Sequence, residues 1–245
     1  MTTTRRGAGR MLGAGLAAVV LAWAGAGTAT AQGLEEYDYE NLSLRGVGVH
    51  AGYNWADKVQ GTTAFGFRVD LGYLGPGVRI VPTLNYWSSE LDQSELVELA
   101  AQISALPSIA EAGIEVTAEE LGVIEWTDLA FGMDAHYVWA TPSPLLAYLG
   151  VGVGLHSLNG KGTAIDGTFV EDLLDSFAAG ISPLGGLEYA LEDRLRVYGE
   201  ARWNLLSDLN FGGFAIGVQF MFGERDPGVI GSVAAPRPAS AAARR

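Results

Sequence analysis

Charged side chains recur on one face of alternating segments in this 245-residue chain. The opposite face of each segment is apolar, and a charge enclosed in a protein without a partner would be very costly. We therefore expect an ionic network made of Arg68, Asp70, Arg79, Asp134, Glu188, Arg196, Glu200 and Arg202, with Asp128 and Arg194 as further candidates. The network could serve as a gate or ion path, or as a structural plug. The plug is favoured, because side chains fill a narrow enclosed interior.

One ion pair follows from the spacing of two predicted strands, about 177–190 and 194–206. Even-numbered residues share the enclosed face of both strands, so partners across this hairpin require a loop of odd length. A three-residue loop at Leu191 to Asp193 places Glu188 directly opposite Arg196.

Three histidines, His50, His136 and His156, lie on the same face as the charges. A shared metal site would need the three side chains at the same level along their strands. They are predicted at different levels: His50 near the middle, His136 at the end with the short connections, and His156 at the end with the long ones. Separate hydrogen bonding is the favoured interpretation. His156-Ser157 lies near the outer rim, where some barrels are lipid A-modifying hydrolases or acyltransferases. No spaced motif matches those enzymes, so we predict no catalytic residue, cofactor or metal.

The composition restricts the class of protein. Residues 1–31 are typical of an export signal, with Arg5, Arg6 and Arg10 before an apolar run that is shorter than the roughly 18 residues of a membrane helix. Its removal changes the formal net charge from −13 to −16, which disfavours a nucleic-acid partner. There is no cysteine, so disulfide chemistry is excluded.

Alternation of apolar and small or polar residues predicts strands. We predict eight, at about Leu42–Trp55, Thr62–Tyr73, Val78–Trp87, Val123–Trp139, Leu145–His156, Phe177–Ala190, Arg194–Leu206 and Leu209–Phe222. The connections after the second, fourth and sixth strands are short. Those after the third and fifth are long, about Ser88–Gly122 and Ser157–Ser176, and this asymmetry is typical of an outer-membrane barrel.

The apolar face could point inward, as in a soluble barrel of lipocalin type, or outward into lipid. Its central residues carry no charge, and the opposite face is rich in glycine, as a narrow lumen requires. Aromatic residues near the strand ends suggest two interfacial girdles. One comprises Tyr73, Tyr137, Trp139, Tyr189 and Phe222 at the short-turn end, the other Tyr53, Tyr86 and Trp203 at the loop end. We therefore predict that the apolar face points outward.

The long loops contain helix signals. Asp92 can cap a helix whose apolar face is Leu96, Leu99, Ala100 and Ile103 and which ends before Pro107. Thr117 with Glu120, and Thr168 with Glu171, match the capping-box pattern. The helices could form a partner-binding surface, a lid over the barrel mouth, or local structure that resists proteolysis.

The first long loop is also acidic. It holds eight acidic residues from Glu90 to Glu120, and no Lys or Arg occurs between Arg79 and Lys161. The acids could hold divalent cations shared with lipid phosphates. Solubility alone is favoured, because the spacing of oxygen ligands in a calcium loop is absent.

The last predicted strand carries Gly217, Phe220 and Phe222 in the pattern Gly-x-x-apolar-x-aromatic. This resembles the closing-strand signal of bacterial outer-membrane barrels, although Ala215 replaces a usual polar residue and 23 residues follow Phe222. From Leu42 to Phe222 the chain resembles the small eight-stranded barrels of OmpA/OmpX type, without a peptidoglycan-binding domain.

The resemblance implies an all-β, up-and-down transmembrane barrel in the outer membrane of a Gram-negative envelope. We expect a signal peptide at 1–31, a periplasmic lead-in at 32–41, the barrel at 42–223 and a disordered periplasmic tail at 224–245. The expected partners are outer-membrane lipids, lipopolysaccharide, the barrel-assembly machinery and an extracellular partner of the long loops. The expected role is structural or surface-interacting, with a side-chain-filled lumen. The alternatives are a small porin-like channel or carrier for small or hydrophobic molecules, and, behind these, a lipid-modifying enzyme.

Overall fold

The computed structural model describes residues 37–207 and 209–222. Within the described ranges, the chain from Asp38 onward belongs to one compact unit. The predicted export signal, the first half of the lead-in and the predicted tail at 224–245 lie outside the described residues. None of the helices in the described ranges has the length and hydropathy of a membrane span.

The described strands form one antiparallel sheet in the order β2–β1–β9–β8–β7–β6–β5–β4–β3, and β2 also pairs with β4. Because β3 continues the line of β2 along β4, the sheet closes on itself. The prediction of an eight-stranded closed antiparallel barrel is therefore confirmed. The strands are β1 (Gly46–Ala56), β2 (Thr62–Asp70), β3 (Tyr73–Gly75), β4 (Val78–Glu90), β5 (Glu125–Ala140), β6 (Leu145–Lys161), β7 (Ser176–Ala190), β8 (Leu195–Leu206) and β9 (Asn210–Met221).

Two strands run further than the alternation predicted. β4 continues to Glu90 and β6 to Lys161, beyond the predicted ends at Trp87 and His156. Glu125 pairs with Glu90 on one side and with Lys161 on the other. The hydrophobic pattern thus ends before the backbone ladder does, and both long loops are shorter than predicted.

The outward face of the barrel is an apolar belt. Its exposed side chains include Val49, Phe65, Phe67, Leu84, Leu129, Phe131, Met133, Leu149, Val151, Val153, Leu155, Ile181, Leu187, Phe214, Ile216, Val218 and Phe220. In water, a contiguous apolar surface of this extent would favour aggregation. Predicted girdle residues at both ends are exposed as well: Tyr53, Tyr86 and Trp203, and Tyr137, Tyr189 and Phe222.

The predicted outward position of Tyr73 is wrong. The N–H of Leu71 donates to the carbonyl of Ile80 at 3.0 Å, and the N–H of Ile80 donates to the carbonyl of Gly72 at 3.0 Å. Leu71 and Gly72 therefore both lie opposite Ile80, which is a β-bulge. Gly72 has a φ of 77°, a conformation that favours glycine. Because side chains alternate with a period of two, this bulge exchanges the faces. Tyr73 is buried in an internal cluster with Val138, Tyr148 and Leu184.

The end of the predicted lead-in folds against the same corner. A 3-10 helix spans Tyr39–Asn41, and Asp38 accepts a hydrogen bond from the N–H of Glu40 at 3.0 Å. The N–H of Asp38 donates to the carbonyl of Leu74 at 3.0 Å. This contact holds the chain beside the first short turn.

The two long loops contain four helices within the described residues: α1 (Gln93–Ser104), α2 (Pro107–Glu111), α3 (Ala118–Leu121) and α4 (Phe169–Leu174). Asp92 occupies the N-cap position of α1, but its side chain makes no capping hydrogen bond, contrary to the prediction. At α3 the predicted capping box between Thr117 and Glu120 is formed. At α4 Thr168 caps the N–H of Val170.

We call the loops 91–124 and 162–175 the cap. Leu96, Ala100 and Ile103 of α1 are buried, and Leu99 is partly buried beside them. They belong to one apolar cluster with lumen-facing residues near the loop end of the barrel, namely Ala64, Trp87, Trp126, Leu158, Ala178, Leu206 and Phe211. The cap core is therefore continuous with the loop end of the lumen, and the first loop covers the barrel mouth.

Candidate functional site

Glu188 of β7 is the centre of the ionic network in the half of the lumen nearest the short turns. Its Oε1 accepts from Arg68 Nη2 at 2.8 Å and from Arg79 Nη2 at 2.6 Å. Its Oε2 accepts from Arg79 Nη1 at 2.9 Å and lies 3.6 Å from Arg196 Nη1. The Glu188 side chain has no exposed surface, so these guanidinium groups replace the solvent that would otherwise stabilise the carboxylate.

Gln219 of β9 links Asp70 to this centre. Its Nε2 donates to Asp70 Oδ2 at 3.0 Å, and its Oε1 accepts from Arg68 Nε at 2.7 Å. Arg79 Nη1 lies 3.6 Å from Asp70 Oδ2. Gln219 is not among the residues predicted from the sequence. Its only signal was an inward-facing amide in the closing strand.

Aromatic rings separate the charges into layers. The Arg68 guanidinium carbon lies 3.3 Å from the centroid of the Tyr198 ring, a cation–π contact. The His136 ring stacks on Tyr148 with centroids 4.6 Å apart and an interplanar angle of 11°. Gly217 leaves space for Tyr198, because a Cβ at this position would lie 2.6 Å from the Tyr198 hydroxyl.

Arg202 of β8 organises a second cluster nearer the loop end. It binds the Asp134 carboxylate with two nitrogens and donates to Glu200 Oε1 through Nε at 3.2 Å and Nη2 at 3.0 Å. The Tyr148 hydroxyl donates to Glu200 Oε2 at 2.9 Å, so the second cluster contacts the first through aromatic side chains. The eight predicted network residues all lie in the lumen and comprise four arginines and four carboxylates, which balance in charge.

Asp128 forms a third polar cluster just below the cap. Its Oδ2 accepts from Trp87 Nε1 at 3.1 Å and contacts His156 Nδ1 at 2.8 Å. Its Oδ1 is buried and has no hydrogen-bond partner among the described residues. A cavity of about 60 Å³ lies here, lined in part by Asp128, His156, His50 and Asn85, and this volume has room for a few water molecules.

The three histidines lie apart. His50 is within 3.0 Å of both the Tyr198 hydroxyl and Asn85 Oδ1, His136 stacks on Tyr148, and His156 pairs with Asp128. Within the described ranges, no group of three or more His, Asp or Glu side chains is placed to hold a metal ion.

The predicted register of the β7–β8 hairpin is wrong. Glu188 lies opposite Tyr198, and Arg196 lies opposite Ala190. The N–H of Leu191 donates to the carbonyl of Leu195 at 2.9 Å, so the tight loop is at 192–194, one position later than predicted. The parity of the inward face is unchanged, and Glu188 still reaches Arg196 diagonally. Arg194 lies in the exposed turn and is not a lumen residue.

The three residues that resemble a closing-strand signal lie on both faces of β9 and just after its end. Gly217 is buried in the lumen beside Tyr198, while Phe220 and Phe222 are exposed on the apolar belt. Their rings make an edge contact with centroids 5.7 Å apart.

Taken together, these contacts show what the lumen can do chemically. The carboxylates of Glu188, Asp134 and Glu200 are bound by guanidinium groups, and the loop end is filled by apolar side chains. These three carboxylates are thus paired within the lumen.

A scan against models of protein families finds no match, and a search of characterised proteins finds none either. Among solved structures, the Neisserial surface protein A (NspA) is 19% identical, with 74% of this chain and 99% of that chain covered and a TM-score of 0.47. Ail of Yersinia pestis, in complex with the heparin analogue sucrose octasulfate, is 9% identical over 74% and 99% at a TM-score of 0.45. The outer membrane protein OprG of Pseudomonas aeruginosa is 9% identical over 74% and 97% at 0.43. These are barrels of the OmpA/OmpX-like type that the sequence resembles.

Proposed function

We propose that this chain is a bacterial outer-membrane barrel whose lumen does not conduct and whose cap makes contacts at the cell surface. The observation that carries the proposal is that side chains fill the lumen, charged ones in one part and apolar ones in another. The half nearest the short turns holds the ionic network around Glu188. The Arg202 and Asp128 clusters follow toward the loops, and the apolar core shared with α1 closes the loop end. An outer-membrane pore would instead need a continuous polar path.

The apolar belt supports the membrane location. Among the described outward-facing strand residues, the charged ones are Glu90, Glu125 and Lys161, which pair with one another at the loop end. The belt therefore faces lipid and lipopolysaccharide in this proposal, and the assembly machinery reads the closing strand.

The role of a rim enzyme receives less support. His156 is buried and bonded to Asp128, whereas Ser157 follows it on a strand and points to the opposite face. The two side chains therefore do not converge on one substrate.

The filled lumen predicts the outcome of a conductance measurement. The purified barrel, inserted in planar bilayers, is expected to show no steady discrete conductance. Folding is verified on the same sample by the changed gel mobility between unheated and boiled protein. Regular current steps from folded protein would contradict the proposal.

A charge on the belt is expected to destabilise the protein according to depth. Val151→Arg, near the middle of the belt, should lower the free energy of unfolding from lipid vesicles by about 2–4 kcal/mol, because the guanidinium enters hydrocarbon. Ser157→Arg on the same face of β6, at the loop end of the belt, is the matched control and should cost about 0–1 kcal/mol. Equal costs at both positions would mean that the belt does not face a bilayer.

A further inference from the structure

A groove lies where the cap meets the loop end of the barrel. Its volume is about 460 Å³, within the usual range for ligand pockets. Helix α1 contributes Glu95, Glu98 and Leu99 to its lining, and the loop between β1 and β2 contributes Lys58. Leu91, Trp126 and Leu174 provide the rest of the apolar lining. We call it the cap groove.

The walls of the cap groove are held by backbone contacts. Val59 and Leu91 form a β-bridge, and the N–H of Asp92 donates to the carbonyl of Lys58 at 3.0 Å. Trp126 Nε1 donates to the carbonyl of Leu174 at 3.2 Å, which ties the second loop to β5. The opposite side of α1 is buried in the cap core. The groove is therefore formed before any ligand arrives, so binding would cost little ordering.

The polar groups of the groove are available to a ligand. None of the ion pairs between described residues involves Glu95, Glu98 or Lys58. Glu95 is half-buried and Glu98 is exposed, with Glu98 Oε1 accepting from Gln102 Nε2 at 3.2 Å. Two carboxylates one helical turn apart thus face a groove with an apolar lining.

The charge around the groove determines which sign of ligand charge is attracted. The segment from Glu90 to Glu120 carries eight acidic residues and no basic ones, so its potential attracts cations. Lys58 is the one basic residue of the lining and opposes this attraction only in part.

We propose that the cap groove binds amphipathic cations, molecules with an aliphatic or aromatic body and one ammonium or guanidinium group. The body lies on Leu99, Trp126 and Leu174, and the cation lies between Glu95 and Glu98. This deepens the proposed surface role and rests on it for its biological setting. The binding itself is a property of the purified barrel.

The test is calorimetric titration of the full chain in nanodiscs of zwitterionic lipid, with the heat of empty nanodiscs subtracted. Phenylbutylamine is the probe. Phenylbutanol keeps its body without the charge, phenylvalerate reverses the charge, and butylamine keeps the charge with a shorter body. We expect one saturable site for phenylbutylamine, with an affinity about tenfold above each of the other three compounds.

Variants locate the site. Glu95→Gln with Glu98→Gln should weaken phenylbutylamine binding about tenfold, and Lys58→Gln should strengthen it by about two- to threefold, because a like charge is removed. Glu119→Gln, an exposed acid on α3 outside the groove, is the matched control and should leave the affinity unchanged.

Binding of phenylbutanol as tight as that of the amine, an unchanged affinity in the double variant, or no saturation above empty nanodiscs would each overturn the inference. These outcomes are separate from those of the conductance measurement. A conducting barrel that binds the amine would overturn the proposed function and leave the groove in place.

Discussion

Glu188→Gln is expected to lower the free energy of unfolding by about 3–5 kcal/mol, because it leaves Arg68 and Arg79 buried without their shared carboxylate. Both arginine side chains are almost completely buried, so water cannot replace the lost partner. Urea-driven unfolding from lipid vesicles measures the change. Glu192→Gln, in the exposed turn of the same hairpin, is the matched control and should change stability by less than about 0.5 kcal/mol.

Double-mutant cycles should distinguish the partners of Glu188. Arg79 makes two hydrogen bonds of 2.6 and 2.9 Å to this carboxylate, whereas Arg196 is 3.6 Å away with 11% of its side chain exposed. The interaction energy from Arg79→Met should therefore exceed that from Arg196→Met. A larger coupling to Arg196 would contradict the contacts described here.

Trp87→Ala is expected to lower the free energy of unfolding by about 3–5 kcal/mol, because it empties the junction between the lumen and the cap. Trp87 is 2% exposed, packs edge-on against Phe211 with centroids 5.6 Å apart, and donates to Asp128. The variant should also speed proteolysis between 91 and 124, since Trp87 and the buried face of α1 belong to one apolar cluster. Unfolding and limited proteolysis measure the two effects.

Trp87→Phe is the matched comparison, because it keeps an aromatic ring and removes the N–H. It should cost about 1–3 kcal/mol, because Asp128 Oδ2 loses one of its two buried hydrogen-bond partners and keeps only His156. Loop cleavage that is unchanged in Trp87→Ala would show that the cap does not depend on the lumen.

The barrel could be predicted from the sequence because one observable, the period of two, determines both the strands and their faces. The prediction of the outward face failed at Tyr73 for a physical reason. An extra residue at Leu71–Gly72 exchanges the faces but leaves the run of residue types unbroken. The positive φ of Gly72 that marks the bulge is indistinguishable, in sequence, from any other strand glycine.

The hairpin of β7 and β8 shows what the alternation of odd and even positions can and cannot determine. The inward positions of Glu188 and Arg196 follow from parity alone. The choice between a tight loop at 191–193 and one at 192–194 does not, since both contain three residues. That choice shifts the register by two and moves Tyr198 opposite Glu188.

The site could be predicted only as a set of residues. The partners of Glu188 come from β2, β4 and β8, and which carboxylate each arginine reaches depends on side-chain geometry across the lumen. The apolar face of α1 was likewise visible at Leu96 and Ile103, but its place in one apolar cluster with Trp87 and Phe211 depends on how the loop folds back.

The ionic network and the apolar core under the cap act as two gates in series. A molecule passing through must find the cap displaced and the ionic network parted during the same interval. If the two open independently, their open probabilities multiply. If each opening costs about 2.8 kcal/mol, each is open about one part in a hundred and both about one part in ten thousand. Neither layer needs to be tight by itself, and either can loosen for another purpose while the envelope stays closed.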